Sequence, residues 1–412
     1  MMDSQISDQP SGFTLRGRHY RTGEAIVLRI EGAVITACSP LTSAAPWNPE
    51  DVEELPWIAP GLVDLQINGY GGLDMNAPDL AEEDVIALVE RLWTEGITSF
   101  YPTIITGPDA SITHGLETIH RACLRLEQEH GHGADGAHSI AGIHVEGPFI
   151  SPEDGPRGAH NRTYVRAPDA ERFAAWQQAS GGRIRIVTLS PEWPGSEDFI
   201  ARCTALGVTV AIGHTSATGD QIERAAASGA RLSTHLGNGA HPVLPRHPHY
   251  IWDQLAEDRL WASVIADGFH LPDAFLKVVR KAKGDKLILV SDTVSLGGMP
   301  PGSYVAPVGG RVTLSGQGRL HLTDQPELLA GSALPLASGI GHMATARICS
   351  LGEAWDMAST APSRLMQLPG RDGLLPGAPA DIAVFTFTDG QIRVDETYKR
   401  GRRRYARLDL QA

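Results

Sequence analysis

The sequence predicts an α/β chain in which a (β/α)8 barrel carries a small β-sandwich domain built from both termini. Three observations predict it. Short apolar runs alternate with amphipathic helical segments over roughly 300 residues of the middle of the chain, a rhythm that needs a parallel sheet covered on both faces. No G-x-G-x-x-G opens a helix after the first strand, which disfavours a doubly wound sheet and favours a closed barrel. The two ends share a different, strand-rich texture. The expected division is a barrel over residues 60–368 and a sandwich from residues 1–59 and 369–412.

At the N-terminal end, Val27, Leu28 and Ile30, then Val34 and Ile35, read as short antiparallel strands broken by Gly17, Gly23 and Gly32. At the C-terminal end, residues 381–388 form a β-rich run, Asp389-Gly390 is a hairpin turn, and residues 391–394 return. In between, residues 84–95 place Val85, Leu88, Val89 and Leu92 on one helical face, with Gly96 as the stop. Strands are expected at 97–101, 140–145, 184–189, 208–212, 232–235 and 287–290. Helices are expected around Phe199, Cys203 and Leu206, around Ile222, Ala225 and Ala226, and over 274–282.

Composition narrows the functional classes. Of 412 residues, 35 are Lys or Arg and 48 are Asp or Glu, a net charge of −13, which argues against a nucleic-acid binder and against a polybasic membrane patch. Hydrophobic residues make up 42% and charged residues 20%, enough to bury a core. Cys38, Cys123, Cys203 and Cys349 show no C-x-x-C spacing, so neither a disulfide framework nor a zinc finger is indicated. Met1 to Gln5 is polar, and no run approaches a membrane span. A cytoplasmic globular protein is expected.

The residues able to carry chemistry stand where strand runs end. Glu146 follows 143–145, His214 follows 210–213, His235 closes 232–234, and Asp292 follows 287–291. Strand C-termini of a (β/α)8 barrel converge on one face, so these four side chains are expected to meet. One carboxylate and two imidazoles form a catalytic zinc set with room left for water. A carboxylate beside such a site can take a proton from the water and return it to a leaving nitrogen, the role expected of Asp292.

At these residues the chain resembles the amidohydrolase superfamily and, within it, the N-acetylglucosamine-6-phosphate deacetylases. The matching segments include Pro60-Gly61-Leu62-Val63-Asp64, Gly142-Ile143-His144-Val145-Glu146-Gly147-Pro148-Phe149, Gly158-Ala159-His160-Asn161 and Gly213-His214-Thr215. Further on come Thr234-His235-Leu236, Ala266-Asp267-Gly268-Phe269-His270, Ser291-Asp292 and Leu329-Ala330-Gly331-Ser332. The resemblance implies a barrel of the metal-dependent hydrolase type. It implies one divalent ion, zinc or in some members iron, on Glu146, His214 and His235, with Asp292 as the acid/base. It further implies substrate contacts from His160 and His270, phosphate contacts from Asn238, Gly239 and Arg246, and a homodimer. The implied reaction is hydrolysis of the acetamide of a small amino-sugar phosphate.

Two departures mark this chain. Where many amidohydrolases carry His-x-His for a second metal, it has Gln66-Ile67-Asn68, which reads as a single-metal site. Where the deacetylases carry Asn-Ala-Met, it has Asn238-Gly239-Ala240-His241, with His247 and His249 close to Arg246. A different N-acetylated sugar or an unphosphorylated amide is the alternative substrate, and an oligomeric scaffold without catalysis is the alternative from another class. His130, His132 and His138 read as a solvated loop, Lys399 to Arg407 as a solvated strand end, and the stretch from Leu296 to Gly302 as a candidate gate.

Overall fold

The computed structural model describes residues 12–41, 54–129, 139–306 and 310–408. His130, His132 and His138 therefore lie outside the described residues. Strands β1 (Phe13–His19), β2 (Ala25–Glu31), β3 (Val34–Pro40) and β4 (Trp57–Pro60) precede the barrel. Strand β5 (Leu62–Ile67) opens the barrel and is followed by the small hairpin β6 (Gly69–Tyr70) and β7 (Leu73–Asp74). Strands β8 (Ile97–Ile105), β9 (Ile143–Glu146), β10 (Ile184–Leu189), β11 (Thr209–Ile212), β12 (Leu232–Ser233), β13 (Trp261–Val264) and β14 (Leu287–Leu289) complete it. All seven ladders from β5 to β14 are parallel.

The closing seam between β14 and β5 is made differently. The Asp292 amide donates to the Gln66 carbonyl at 3.0 Å, Ile67 bridges Thr293, and the Ser291 amide donates to the buried Asp64 carboxyl at 3.2 Å. Burial pushes the Asp64 carboxyl up to about 7.

Helices α1 (Glu82–Trp93), α2 (Asp109–Glu129), α3 (Ala170–Ala179), α4 (Ser196–Ala205), α5 (Gly219–Ser228), α6 (Tyr250–Ala256) and α7 (Asp273–Lys283) alternate with these strands. Their buried faces follow the sequence periodicity: α1 buries Val85, Leu88, Val89 and Leu92, and α7 buries Leu276 and Val279. Gly96 ends the first unit with φ +77°. Inside the barrel, Val63, Leu65, Tyr101, Ile186, Ile288 and Val290 form a packed plug with Ala361.

After β14 the chain makes a three-stranded excursion, β15 (Gly302–Ala306), β16 (Gly310–Leu314) and β17 (Leu320–Leu322). It returns through α8 (Leu336–Thr345), α9 (Leu351–Met357) and α10 (Thr360–Leu365), then adds β18 (Ile382–Thr388), β19 (Gln391–Lys399) and β20 (Arg402–Ala406). The terminal strands form one seven-stranded sheet in the order β20-β19-β18-β4-β1-β2-β3, so both chain ends share it.

Fully buried Trp355 joins the two units: its indole N–H donates to the Pro60 carbonyl at 2.8 Å and its ring stacks on Phe385 at 4.2 Å. Lys399 is a second tie. The sequence expectation of a solvated strand end holds for Arg402 and Arg403, which are exposed, and is corrected for Lys399. Its ammonium is buried between the Thr98 carbonyl (2.7 Å) and Asp381 (2.8 Å), because a partner on a barrel strand makes burial of the charge affordable.

Candidate metal centre

Glu146, His214, His235 and Asp292 all stand at the C-terminal ends of barrel strands, and three of them turn the chain there in the left-handed region. His214 has φ +50°, His235 +29° and Asp292 +50°. Side chains with short polar groups tolerate this conformation best, and its cost is a feature of functional sites. Glu146 ends β9 and is followed by Gly147 at φ +76°, where a Cβ would lie 2.2 Å from the Thr106 hydroxyl. Only glycine fits that approach.

The side chains converge. Glu146 Oε1 lies 3.0 Å from His235 Nε2 and 3.5 Å from His214 Nε2. The two imidazole nitrogens are 3.1 Å apart, with their rings perpendicular. One ligand atom from each of the three residues falls within 4.8 Å of the others. His214 Nδ1–H donates to the Pro156 carbonyl at 2.8 Å, which fixes the tautomer and leaves the Nε2 lone pair facing the centre. Gln66, at the first position of the missing His pair, donates its amide to Glu146 Oε1 at 2.8 Å, and Asn68 donates to Asp292 Oδ1 at 2.8 Å. The first-strand amides therefore orient the two carboxylates.

The field is that of a cation site. Burial pushes the Glu146 carboxyl up, but His214 and His235 outweigh it and hold it well below the usual carboxylate range. Burial pulls the His235 imidazole down, yet the hydrogen bond and charge of Glu146 raise it to about 9. The Asp292 carboxyl is pushed up to about 6 by burial and by the Glu146 charge. One layer below, His144 donates Nδ1–H to the Leu65 carbonyl and accepts from Thr188 at Nε2; burial lowers it to about 4, so it stays neutral.

The structure brings His160 to the same cluster. Its ring lies 4.4 Å from that of His214, its Nδ1 bonds the Thr106 hydroxyl at 2.8 Å, and its Nε2 is 3.9 Å from Glu146 Oε2. Burial and the neighbouring His214 lower it to about 3, leaving it neutral. His270 donates Nδ1–H to Asp267 at 2.7 Å. Burial pushes the Asp267 carboxyl up, but His270 outweighs it and holds it below its ordinary value. Asp267 was not among the residues singled out from sequence, although its i, i+3 spacing to His270 was a readable signal.

Asn238 and Gly239 line a small cavity beside His214 together with Thr215, Tyr250 and Gln254. Asn238 Nδ2 is buried there without a hydrogen-bond partner among the described residues. Arg246 is exposed, outside the buried cluster of its own chain. The stretch from Leu296 to Gly302, a candidate gate from sequence, packs on Tyr70: a Cβ at Gly298 would lie 2.7 Å from its ring.

A parallel barrel with one carboxylate and two imidazoles at its strand ends, and a further carboxylate beside them, defines a metal-dependent hydrolase site. The chain belongs to the amidohydrolase family, whose model matches residues 57–404. Within it, curated relatives that the chain matches include N-acetylglucosamine-6-phosphate deacetylases. That of Bos taurus is 36% identical over 357 residues, covering 84% of this chain and 82% of the relative. That of Bacillus subtilis is 34% identical over 330 residues, covering 79% and 80%. The crystal structure of the deacetylase from Pasteurella multocida shares the fold with a TM-score of 0.80 at 24% identity, covering 96% of this chain and all of that one.

Proposed function

We propose that this chain hydrolyses the acetamide of N-acetyl-D-glucosamine 6-phosphate, giving glucosamine 6-phosphate and acetate. The convergence of Glu146, His214 and His235, with Asp292 held by Asn68, in a chain 36% identical to such a deacetylase, carries the reading. The donor set fits one divalent cation, zinc or alternatively iron: an ionised carboxylate and two imidazole nitrogens already face one point. When bound there, such a cation would supply Lewis acidity toward the carbonyl and would bring the pKa of a water down to about 7.

The chain's own groups do the rest. Asp292 takes a proton from the attacking water as the C–O bond forms and returns it to the sugar nitrogen as the C–N bond breaks. A carboxyl near 6 can do both around neutrality. His160 and His270 contact the substrate, one at the amide carbonyl, where a preplaced donor is rewarded as negative charge develops. Gln66 keeps Glu146 in register and Asp267 keeps His270 in one tautomer.

Gly239 receives the phosphate on its backbone N–H and Asn238 on its unpartnered side-chain amide, the Asn238 N–H being already given to the His235 carbonyl at 2.9 Å, and exposed Arg246 supplies a guanidinium to it across a homodimer. The catalytic unit spans 60–368, with 1–59 and 369–412 supporting it, and the enzyme works in the cytoplasm. No helix among the described residues is long and apolar enough to cross a membrane. The altered segment from Gly237 to Pro248 supports one alternative, an amide substrate without the phosphate.

Acetate release from zinc-loaded protein tests the reading, with and without the 6-phosphate. A chelator should abolish turnover, Asp292→Asn should lower kcat by about 100-fold or more, and Arg246→Ala should act only on the phosphorylated sugar. No acetate from the phosphorylated sugar would end the proposal.

A further inference from the structure

His241 belongs to the segment that sets this chain apart, and the function above leaves it without a task. Its surroundings assign one. His241 Nε2 lies 3.1 Å from Glu153 Oε2; a carboxylate only accepts, so Nε2 carries the hydrogen. Nδ1 is then a lone pair and accepts from the Tyr250 hydroxyl at 3.0 Å, while the same phenol oxygen accepts from the His241 amide at 2.8 Å. Every polar group of the residue's ring is used.

The partners matter because of where they lead. Glu153 sits on the loop that follows Glu146, and its other oxygen lies 3.1 Å from the Ser216 hydroxyl, two residues beyond His214, sharing that one hydrogen with Glu192 Oε2 at 2.9 Å. Tyr250 begins α6 and is buried. Between these anchors the backbone is pressed tightly: a Cβ at Gly155 would lie 3.0 Å from the His241 Cα, and one at Gly239 would lie 2.6 Å from His214 Nδ1. The turn carrying Asn238 and Gly239 is thus seated directly on the His214 ring and clamped from its far end.

We propose that His241 is a positioning residue, a clamp that fixes the Asn238-Gly239 turn against the His214 and Glu146 loops through Glu153 and Tyr250, and so sets binding of the substrate's anionic end. The inference rests on the reading of Asn238 and Gly239 as substrate contacts. His241 touches no reacting atom; its effect belongs in KM, not in kcat.

Zinc-loaded wild type, His241→Ala, His241→Gln, Glu153→Ala and the Ala/Ala double variant are compared in two measurements. In acetate release from N-acetylglucosamine 6-phosphate, His241→Ala should raise KM about fivefold, the scale of a part-exposed charged hydrogen bond. Its kcat should stay within about twofold and its zinc content should be unchanged. His241→Gln, which keeps the bond to Glu153, should recover most of the loss. Glu153→Ala should resemble His241→Ala, and the double variant should be no worse than either.

Amide hydrogen exchange over residues 236–242 reads the clamp without substrate. It should speed up about fivefold in the Ala variants and return in His241→Gln. Unchanged exchange in His241→Ala, additive losses in the double variant, or a fall in kcat and zinc at constant KM would overturn the clamp. A wild type that releases no acetate from the phosphorylated sugar would instead overturn the substrate reading, and the exchange data would still decide the role of His241.

Discussion

Loading the metal-free chain with zinc at pH 7 should expel about one proton from His235 alone. Without metal, the charge and hydrogen bond of Glu146 outweigh burial and lift His235 to about 9, so about 99% of it is an imidazolium two pH units lower. A metal ligand needs the Nε2 lone pair, and the hydrogen now lying between Glu146 Oε1 and His214 Nε2 must leave. The sign follows: proton competition weakens binding below the raised value, so the His235 contribution to apparent affinity climbs about tenfold per pH unit from 7 to 9 and levels off above. The same linkage gives the raised His235 a contribution to metal-free stability that is full below about 6.5 and lost as pH rises through 9. Titration calorimetry in buffers of differing ionisation enthalpy counts the protons directly; the His235 share falls to about 0.1 at pH 10, while a bound water with a pKa of about 7 would add about 0.5 at pH 7 and about one at pH 10. Release of about half a proton or less at pH 7, the share of a bound water alone, would refute the reasoning, because it would mean a neutral His235 that merely moves its hydrogen from Nε2 to Nδ1.

Gly239→Ala should lower metal affinity about 10- to 100-fold in a competition assay with a chelating dye, since φ +55° disfavours a side chain and the new methyl would displace His214 Nδ1 from its bond to Pro156. Asn68→Ala removes the donor on Asp292 Oδ1; kcat should fall about tenfold or more at unchanged metal content. The acid limb of the pH–rate profile should also move upward, because that hydrogen bond favours the carboxylate. Trp355→Ala should cost about 3–5 kcal/mol in denaturant unfolding, the scale of emptying a fully buried indole, through lost packing between barrel and terminal sheet.

The barrel was legible because a parallel strand covered on both faces has to be apolar throughout, as in Ile184–Leu189 and Leu287–Leu289. Helix limits were read less well: α1 spans Glu82–Trp93 rather than 84–95, since acidic Glu82 and Glu83 favour the first turn. Glu146, His214, His235 and Asp292 were legible as strand-end polar residues, a local signal. Contacts between distant segments were not. Gln66 and Asn68 stand in the sequence only as missing ligands, whereas they donate to carboxylates 80 and 224 residues away, respectively. Lys399 looked solvated in a basic run, because its partners on β8 and at Asp381 leave no mark in the neighbouring sequence. The excursion β15–β17 was not anticipated either; its strands are short and alternate only weakly.

The left-handed turns at His214, His235 and Asp292 also limit how this site could diverge. A valine or isoleucine at any of them would strain the main chain before it altered the chemistry. Replacements that the scaffold accepts come from a narrow palette of asparagine, aspartate, histidine and glycine, most of which can still hold an ion or a proton. Drift at these corners is therefore channelled toward new ligand sets and new reactions on one frame, and chains that abandon catalysis altogether should bear glycine or asparagine there rather than aliphatic residues.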